Sequence, residues 1–210
     1  MPECALIIMT RYPRPGHCKT RLMPVLGPEG AAELHRRMAE HTAAMAEKLT
    51  DILPVSLFVF HQGGSARLMT RWLGNRIAPV QQVSGDLGEK ICAAFRLIFR
   101  MGFTRVVAVG TDIPGLDVSI MDRAFRLLEK TDVVIGPAMD GGYYLIGLSE
   151  EHPALFLDIP WGSGKVMEAT RNAAWRNGLS ITSLKPLRDI DRPEDLFQTT
   201  FRQESHRKGH

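Results

Sequence analysis

Apolar positions along the chain fall into short unbroken runs separated by longer amphipathic stretches, and this alternation predicts strand and helix in turn. The runs at 4–9, 54–60, 106–109 and 132–138 are too short for helices and are bounded by turn residues, the pattern of strands buried on both faces of a sheet. Weaker runs at 79–83 and 179–184 read as short strands, and 143–147 is strand-like. Between them, 29–49 places Ala31, Leu34, Met38, Met45 and Leu49 on one helical stripe. A short helix is expected at 66–73. Another opens at 85–90, G-D-L-G-E-K, and buries Leu87, Ile91, Ala94, Phe95 and Ile98. A fourth starts at Asp117 with Ile120, Ala124, Leu127 and Leu128 inward, and a fifth covers 163–177 before Gly178. Asp191, Pro193 and Glu194 make a last helix start. The alternation defines an α/β protein whose mostly parallel central sheet is flanked by helices on both faces.

Composition narrows the class only a little. A chain of 210 residues with 44% hydrophobic and 23% charged residues forms a single domain, expected over 1–203 with a polar, flexible tail at 204–210. The net charge of +3 admits an anionic small molecule but is too small and dispersed for nucleic acid. Cys4, Cys18 and Cys92 cannot all pair within the chain and none forms a C-x-x-C, which points to a reducing, cytoplasmic setting. The opening apolar run is too short for a secretory core or a membrane span.

The candidate chemistry sits just past predicted strand ends, where open α/β sheets bind ligands. In R-V-V-A-V-G-T-D-I-P-G-L at 105–116, Asp112 follows a buried strand and can hold a metal or simply cap a turn. The 10–22 loop, T-R-Y-P-R-P-G-H-C-K-T-R-L, carries Arg11, Arg14, Lys19 and Arg21, cations suited to a diphosphate. Its G-H-C-K-T lacks the glycine spacing of a nucleotide-hydrolase phosphate loop. Asp112, Asp140 and Asp191, if on one sheet edge, can share Mg2+ or Mn2+ that bridges the same diphosphate. Gly85 and Asp86 either cap a helix or turn its free amides toward a ligand. Gly141 and Gly142 either let backbone approach a substrate or form a D-G hairpin turn after Asp140. Trp161 stacks on a ligand or anchors its loop, and Tyr143 lies at the start of a strand-like run. Zinc spacings, a G-x-S-x-G elbow and a G-x-G-x-x-G dinucleotide loop are all lacking.

Taken in order, R-Y-P-R-P-G-H-C-K-T-R-L at 11–22, G-D-L-G-E-K at 85–90, G-T-D-I-P-G-L at 110–116, G-P-A-M-D-G-G-Y-Y-L-I-G at 136–147 and D-I-D-R-P-E-D-L at 189–196 resemble a family of bacterial GT-A-type glycosyltransferases. The family is known as nucleotide-diphospho-sugar transferases, or as transferases associated with radical-SAM and selenium-linked gene sets. It is similar in turn to 2-phospholactate guanylyltransferase and the molybdenum cofactor guanylyltransferases. The resemblance implies a three-layer Rossmann-like GT-A fold and a nucleotide at the first strand's loop. It implies phosphate-binding roles for Arg11, Lys19 and Arg21 and a metal role for Asp112. The expected activity is metal-dependent transfer from a nucleotide diphospho-sugar to a small-molecule acceptor. Lys19 and Asp140 are its catalytic candidates, and Gly141, Gly142, Tyr143 and Trp161 shape the sugar and acceptor pocket. Two alternatives stand beside it: joining a nucleoside triphosphate to a phosphorylated small molecule with release of pyrophosphate, and nucleotide binding without catalysis. This chain has prolines and arginines where the molybdenum cofactor enzymes have paired glycines, which weighs against nucleotidyl transfer.

Overall fold

A computed structural model of the chain describes residues 3–198. The apolar runs become seven strands: β1 Cys4–Arg11, β2 Val55–Gln62, β3 Ala78–Gln81, β4 Arg105–Gly110, β5 Val133–Pro137, β6 Tyr143–Leu148 and β7 Ile181–Ser183. They form one sheet in the order β3-β2-β1-β4-β6-β5-β7. Its pairings are parallel except those of β6, which runs antiparallel to both β4 and β5. The reason is local: the 138–142 turn joining β5 to β6 is far too short for the crossover a parallel pair requires.

Strand alternation builds two cores. In β1, Cys4, Leu6 and Ile8 face a cluster completed by α1 (Met23–Leu49), α2 (Ala66–Leu73) and α4 (Val118–Leu127). Ala5 and Ile7 face the opposite cluster, covered by α3 (Leu87–Arg100) and α5 (Val166–Arg176). The result is the three-layer arrangement expected, a sheet with helices on both sides. None of the described helices is long and apolar enough to cross a membrane.

Several boundaries differ from the sequence expectation for identifiable reasons. β1 continues through Thr10 and Arg11, because both pair with β2 before the prolines intervene. α1 begins at Met23, six residues early, and is broken at Gly27, whose φ of 69° lets the chain turn before Pro28 restarts the helix. Its buried stripe runs through Ala31, His35, Met38, Thr42, Ala46 and Leu49, while Leu34 and Met45 sit at the stripe's edge. Small residues there let the helix lie close to the sheet. The last element is the 3-10 helix Pro193–Gln198; Asp195, not Asp191, holds its start by accepting from the N–H groups of Asp191 and Arg192 at 3.1 and 2.8 Å. The 3-10 helix Pro153–Phe156 has no counterpart among the predicted elements. The 204–210 tail lies outside the described residues.

Candidate functional site

The strand order reverses between β1 and β4: the chain builds outward from β1 to β2 and β3, then returns to place β4 on β1's other side. Crevices open at such switch points, outside the carboxyl ends of the strands. Met9 of β1 is paired with Gly110 of β4, so the segments that follow, 10–22 and 111–116, leave the sheet side by side. A cleft of about 990 Å3 occupies this position, lined among others by Arg11, Lys19, Arg21, Asp112, Asp140 and Asp191. The basic segment and Asp112 therefore share one cleft.

Lys19 is the centre of the cluster. It adopts a left-handed conformation (φ 47°, ψ 48°) at the start of the 3-10 helix Thr20–Leu22, an uncommon state for a residue with a side chain. Its side chain is only 4% exposed; the ammonium lies 2.9 Å from Asp112 Oδ2 and 3.8 Å from Asp191 Oδ1. It also donates to the main-chain carbonyl of Ile190. The Ile190 N–H donates to the Asp112 carbonyl at 2.9 Å, which knits the 188–192 segment onto the end of β4. Arg21 pairs with Asp191. Arg11 donates to the His17 carbonyl at 2.7 Å and so closes the proline-rich loop.

Behind this group lies His35 of α1. Its Nε2 is 3.0 Å from the Arg11 carbonyl, which can only accept, so Nε2 carries the proton. Nε2 also lies 3.4 Å from Thr10 Oγ1, which is itself 3.2 Å from Thr111 Oγ1. Nδ1 is 4.0 Å from Asp112 Oδ1. Burial pushes the imidazole below its ordinary value, against the pull of Asp112, so His35 is neutral at pH 7.

The opposite rim is formed by the β5–β6 turn. Asp140 Oδ1 accepts from the Gly142 N–H at 2.8 Å, and the Ala138 N–H donates to the Gly142 carbonyl at 3.1 Å, so the D-G pair is a hairpin turn. Asp140 and Gly142 line the cleft; Gly141 does not. A Cβ on Gly141, at φ 89°, would stand 2.2 Å from the Gly164 carbonyl oxygen, so its close backbone approach is to the 158–164 loop. Trp161 resolves toward anchoring: its ring meets Tyr143 edge-on at 6.1 Å and lies so near Gly88 of α3 that a Cβ there would be 2.3 Å from its Nε1. Both aromatics still line the cleft. The Tyr143 hydroxyl is buried, and that burial holds the phenol above its usual range.

Gly85 and Asp86 are accounted for by a capping box and neither lines the cleft. Asp86 accepts from the Glu89 N–H at 2.9 Å and its own N–H donates to Glu89 at 2.7 Å. A Cβ on Gly85 would collide with that Glu89 carboxylate. Leu87, Lys90 and Ile91 of the same helix form the wall instead.

Among the described residues no group of three or more His, Cys, Asp or Glu side chains is placed to hold a metal. Lys19 stands between Asp112 and Asp191, and Arg21 engages Asp191. The donor set therefore suits Mg2+ or Mn2+ only in its usual mode, one or two carboxylates completed by substrate phosphates. Sequence reasoning passed over Asp189, which lines the cleft and whose carboxyl is raised by burial and by Asp140. The signal was present in D-I-D: alternation about the fully buried Ile190 sends Asp189 and Asp191 to the same side. His35 and Gln82 were missed because each reaches the cleft from an element assigned to the core or to an edge.

The fold and the cleft define the class: a Rossmann-like α/β protein of the GT-A and nucleotidyltransferase type. Residues 42–163 match the family described as an uncharacterized protein conserved in bacteria (DUF2064), and the chain belongs to that family. The match spans Asp112, Asp140 and Trp161. Among solved structures, a provisionally named nucleotide-diphospho-sugar transferase from Desulfovibrio desulfuricans G20 is 31% identical, with a TM-score of 0.87 over 100% of this chain and 92% of that one. A nucleotidyl transferase from Methanothermobacter thermautotroptrophicus is 15% identical, with a TM-score of 0.61 over 92% and 94% of the two chains. The 4-diphosphocytidyl-2C-methyl-D-erythritol synthase from Anaerococcus prevotii DSM 20548 is 10% identical, with a TM-score of 0.60 over 93% and 96%. The last two likenesses are of fold. No curated protein matches the chain in sequence.

Proposed function

We propose that the chain is a transferase that takes a nucleotide diphospho-sugar in the cleft at the β1–β4 switch point and passes the sugar to a small-molecule acceptor. The observation that carries this reading is the Lys19 ammonium, held 2.9 Å from Asp112 where two parallel strands end. The likeness to the Desulfovibrio protein, provisionally named a nucleotide-diphospho-sugar transferase, supports it. Lys19, Arg21 and Arg11 would receive the diphosphate, whose oxygens compete with Asp112 and Asp191 for the same cations. As the bond to the sugar breaks, negative charge grows on the departing diphosphate, and these fixed cations stabilise it without reorganising. Asp112 with Asp140 would hold a divalent cation arriving with the diphosphate, which supplies further neutralisation of the leaving group. Asp191 then serves to position Lys19 and Arg21. Asp140, on the rim with Gly142 and beside the raised Asp189, would contact the sugar or take the acceptor's proton. Tyr143 and Trp161 wall that end of the cleft.

The test is to incubate the full chain with nucleotide sugars and with nucleoside triphosphates, each with Mg2+ or Mn2+, and to assay released nucleoside diphosphate and pyrophosphate. Nucleoside diphosphate formation that Lys19→Ala abolishes is the expected result. Pyrophosphate release from a triphosphate would move the assignment to nucleotidyl transfer, the reading favoured by the fold shared with the Methanothermobacter and Anaerococcus proteins. Metal-independent binding with no product from any donor would overturn both in favour of a binding protein.

A further inference from the structure

His35 of α1 is the one histidine among the described residues that lines the cleft, and the reaction proposed above gives it no task. Its ring meets both limbs of the seam. Nε2 donates to the Arg11 carbonyl at 3.0 Å, where the basic segment begins, and Nδ1 lies 4.0 Å from Asp112 Oδ1, just past β4. With the proton on Nε2, Nδ1 keeps its lone pair and can only accept. Asp112 divides its two oxygens: Oδ2 meets the Lys19 ammonium at 2.9 Å, while Oδ1 turns toward the imidazole and accepts no hydrogen bond among the described residues. Two electron-pair donors therefore face one another across 4.0 Å, a span that one divalent cation bridges with bonds of about 2.1 Å to each. The ring is held in this pose, since its side chain is only 6% exposed and Nε2 also lies 3.4 Å from Thr10 Oγ1, itself 3.2 Å from Thr111 Oγ1. A ring N–H anchored on a main-chain carbonyl is the arrangement that orients metal-bound histidines and raises the basicity of the other nitrogen.

We infer that His35 Nδ1 and Asp112 Oδ1 together form a cation site that takes Mn2+ or Co2+ in preference to Mg2+. The inference rests on the reading above that a divalent cation meets Asp112 in the company of a diphosphate, and it adds a nitrogen ligand to that carboxylate. The added ligand changes the choice of metal. An all-oxygen set suits Mg2+, whereas an imidazole nitrogen favours transition metals, whose affinities rise from Mn2+ to Co2+. Lys19 does not compete for the same oxygen, because it holds Oδ2; it stands beside the ion to receive the phosphate oxygens that complete the coordination shell. With an ammonium on one oxygen and a divalent ion on the other, the single charge of Asp112 is outweighed. The ion therefore binds more tightly when a diphosphate arrives with it.

The experiment is calorimetric titration of the full chain with Mn2+, Co2+ and Mg2+, alone and as their pyrophosphate complexes, followed by electron spin echo spectroscopy of the Mn2+ complex. The wild-type chain is expected to bind Mn2+ at least about tenfold more tightly than Mg2+. Its echo is expected to show nitrogen coupling from a coordinated imidazole together with phosphorus coupling from pyrophosphate, which places the ion in the cleft. His35→Gln is expected to weaken Mn2+ binding by about 10- to 100-fold and to remove the nitrogen coupling, with far-ultraviolet circular dichroism confirming the fold. The wild-type echo stands alone should that variant fail to fold. Phosphorus coupling without nitrogen coupling in the wild-type chain overturns the inference and leaves the metal on oxygen ligands, with the function reading intact. Nitrogen coupling or a Mn2+ preference that persists in His35→Gln overturns it as well. Pyrophosphate binding that no metal strengthens removes the cation from Asp112 and this inference with it, while the phosphate site stands; if pyrophosphate does not bind under any condition, the function reading falls too.

Discussion

Lys19 is the residue on which the cleft's electrostatics turn, since one buried ammonium serves Asp112, Asp191 and a main-chain carbonyl together. Lys19→Ala is expected to weaken pyrophosphate binding roughly 10- to 100-fold by calorimetry, the range for losing a hydrogen bond to a charged group. Unchanged affinity would remove Lys19 from the site. Lys19→Arg is expected to rescue little, because a planar guanidinium does not fit a pocket shaped for a compact ammonium beneath Ile190. His35 yields a prediction in pH. Its folded-state pKa is depressed by burial, so the folded chain binds fewer protons than the unfolded chain and stability falls as pH drops below the ordinary histidine value of about 6.5. The melting temperature should decline between pH 7 and 5, by about 2–4 °C per kcal/mol lost, and His35→Gln should flatten the decline. Asp189 has the opposite slope. Its raised carboxyl favours protonation in the fold, so its ionisation costs stability as pH rises past the usual aspartate range. Asp189→Asn should therefore stabilise the chain at pH 7, by roughly 2 °C, and lose that gain under acid conditions.

At the scale of elements, α3 and the 158–164 loop are coupled through Gly88 and Trp161. A methyl group on Gly88 would stand 2.3 Å from Trp161 Nε1 and 2.9 Å from the Phe156 carbonyl oxygen, and the latter is backbone that cannot swing away. Gly88→Ala is expected to destabilise by about 1–3 kcal/mol in denaturant unfolding. Trp161→Leu in the same chain should recover part of the loss, and strict additivity would refute the coupling. This coupling was invisible in the sequence, because Gly88 and Trp161 belong to distant segments and neither motif refers to the other. By contrast the capping box of α3 was legible, since Asp86 and Glu89 act within a single turn. The kink in α1 was half legible: Gly27 and Pro28 mark a break, but the helical turn before it lies where Leu22 and Leu26 join a cluster with Met38 and Ile190, a long-range contact that no local pattern states.

At the scale of the whole molecule, the fold class followed from the rhythm of apolar runs, and the convergence of 10–22 with Asp112 followed from parallel strands ending at a common edge. The strand order did not follow. Nothing local states that β6 lies between β4 and β5, a pairing decided by a short turn and by which faces remained to be buried. The cleft sits on the seam between β1 and β4, so a ligand that grips both Lys19 and Asp112 ties the two halves of the sheet together. Pyrophosphate or a nucleoside diphosphate at 100 times its dissociation constant should add about 2.7 kcal/mol and raise the melting temperature by roughly 5–10 °C. A shift below one degree at that concentration would show that nothing binds across the seam.

The turn from Ala138 to Gly142 is fastened on two sides: the Met139 N–H donates to the Leu187 carbonyl at 3.1 Å, and the Met167 N–H donates to the Gly141 carbonyl at 2.9 Å. An acceptor that docked against Asp140, as proposed above, would meet a mould already set, and little of its affinity would be diverted into ordering protein. Under the proposed function, discrimination among acceptors at that end would come from shape and charge complementarity to a stiff surface, so close analogues that differ by one bulky group should be refused outright instead of accommodated.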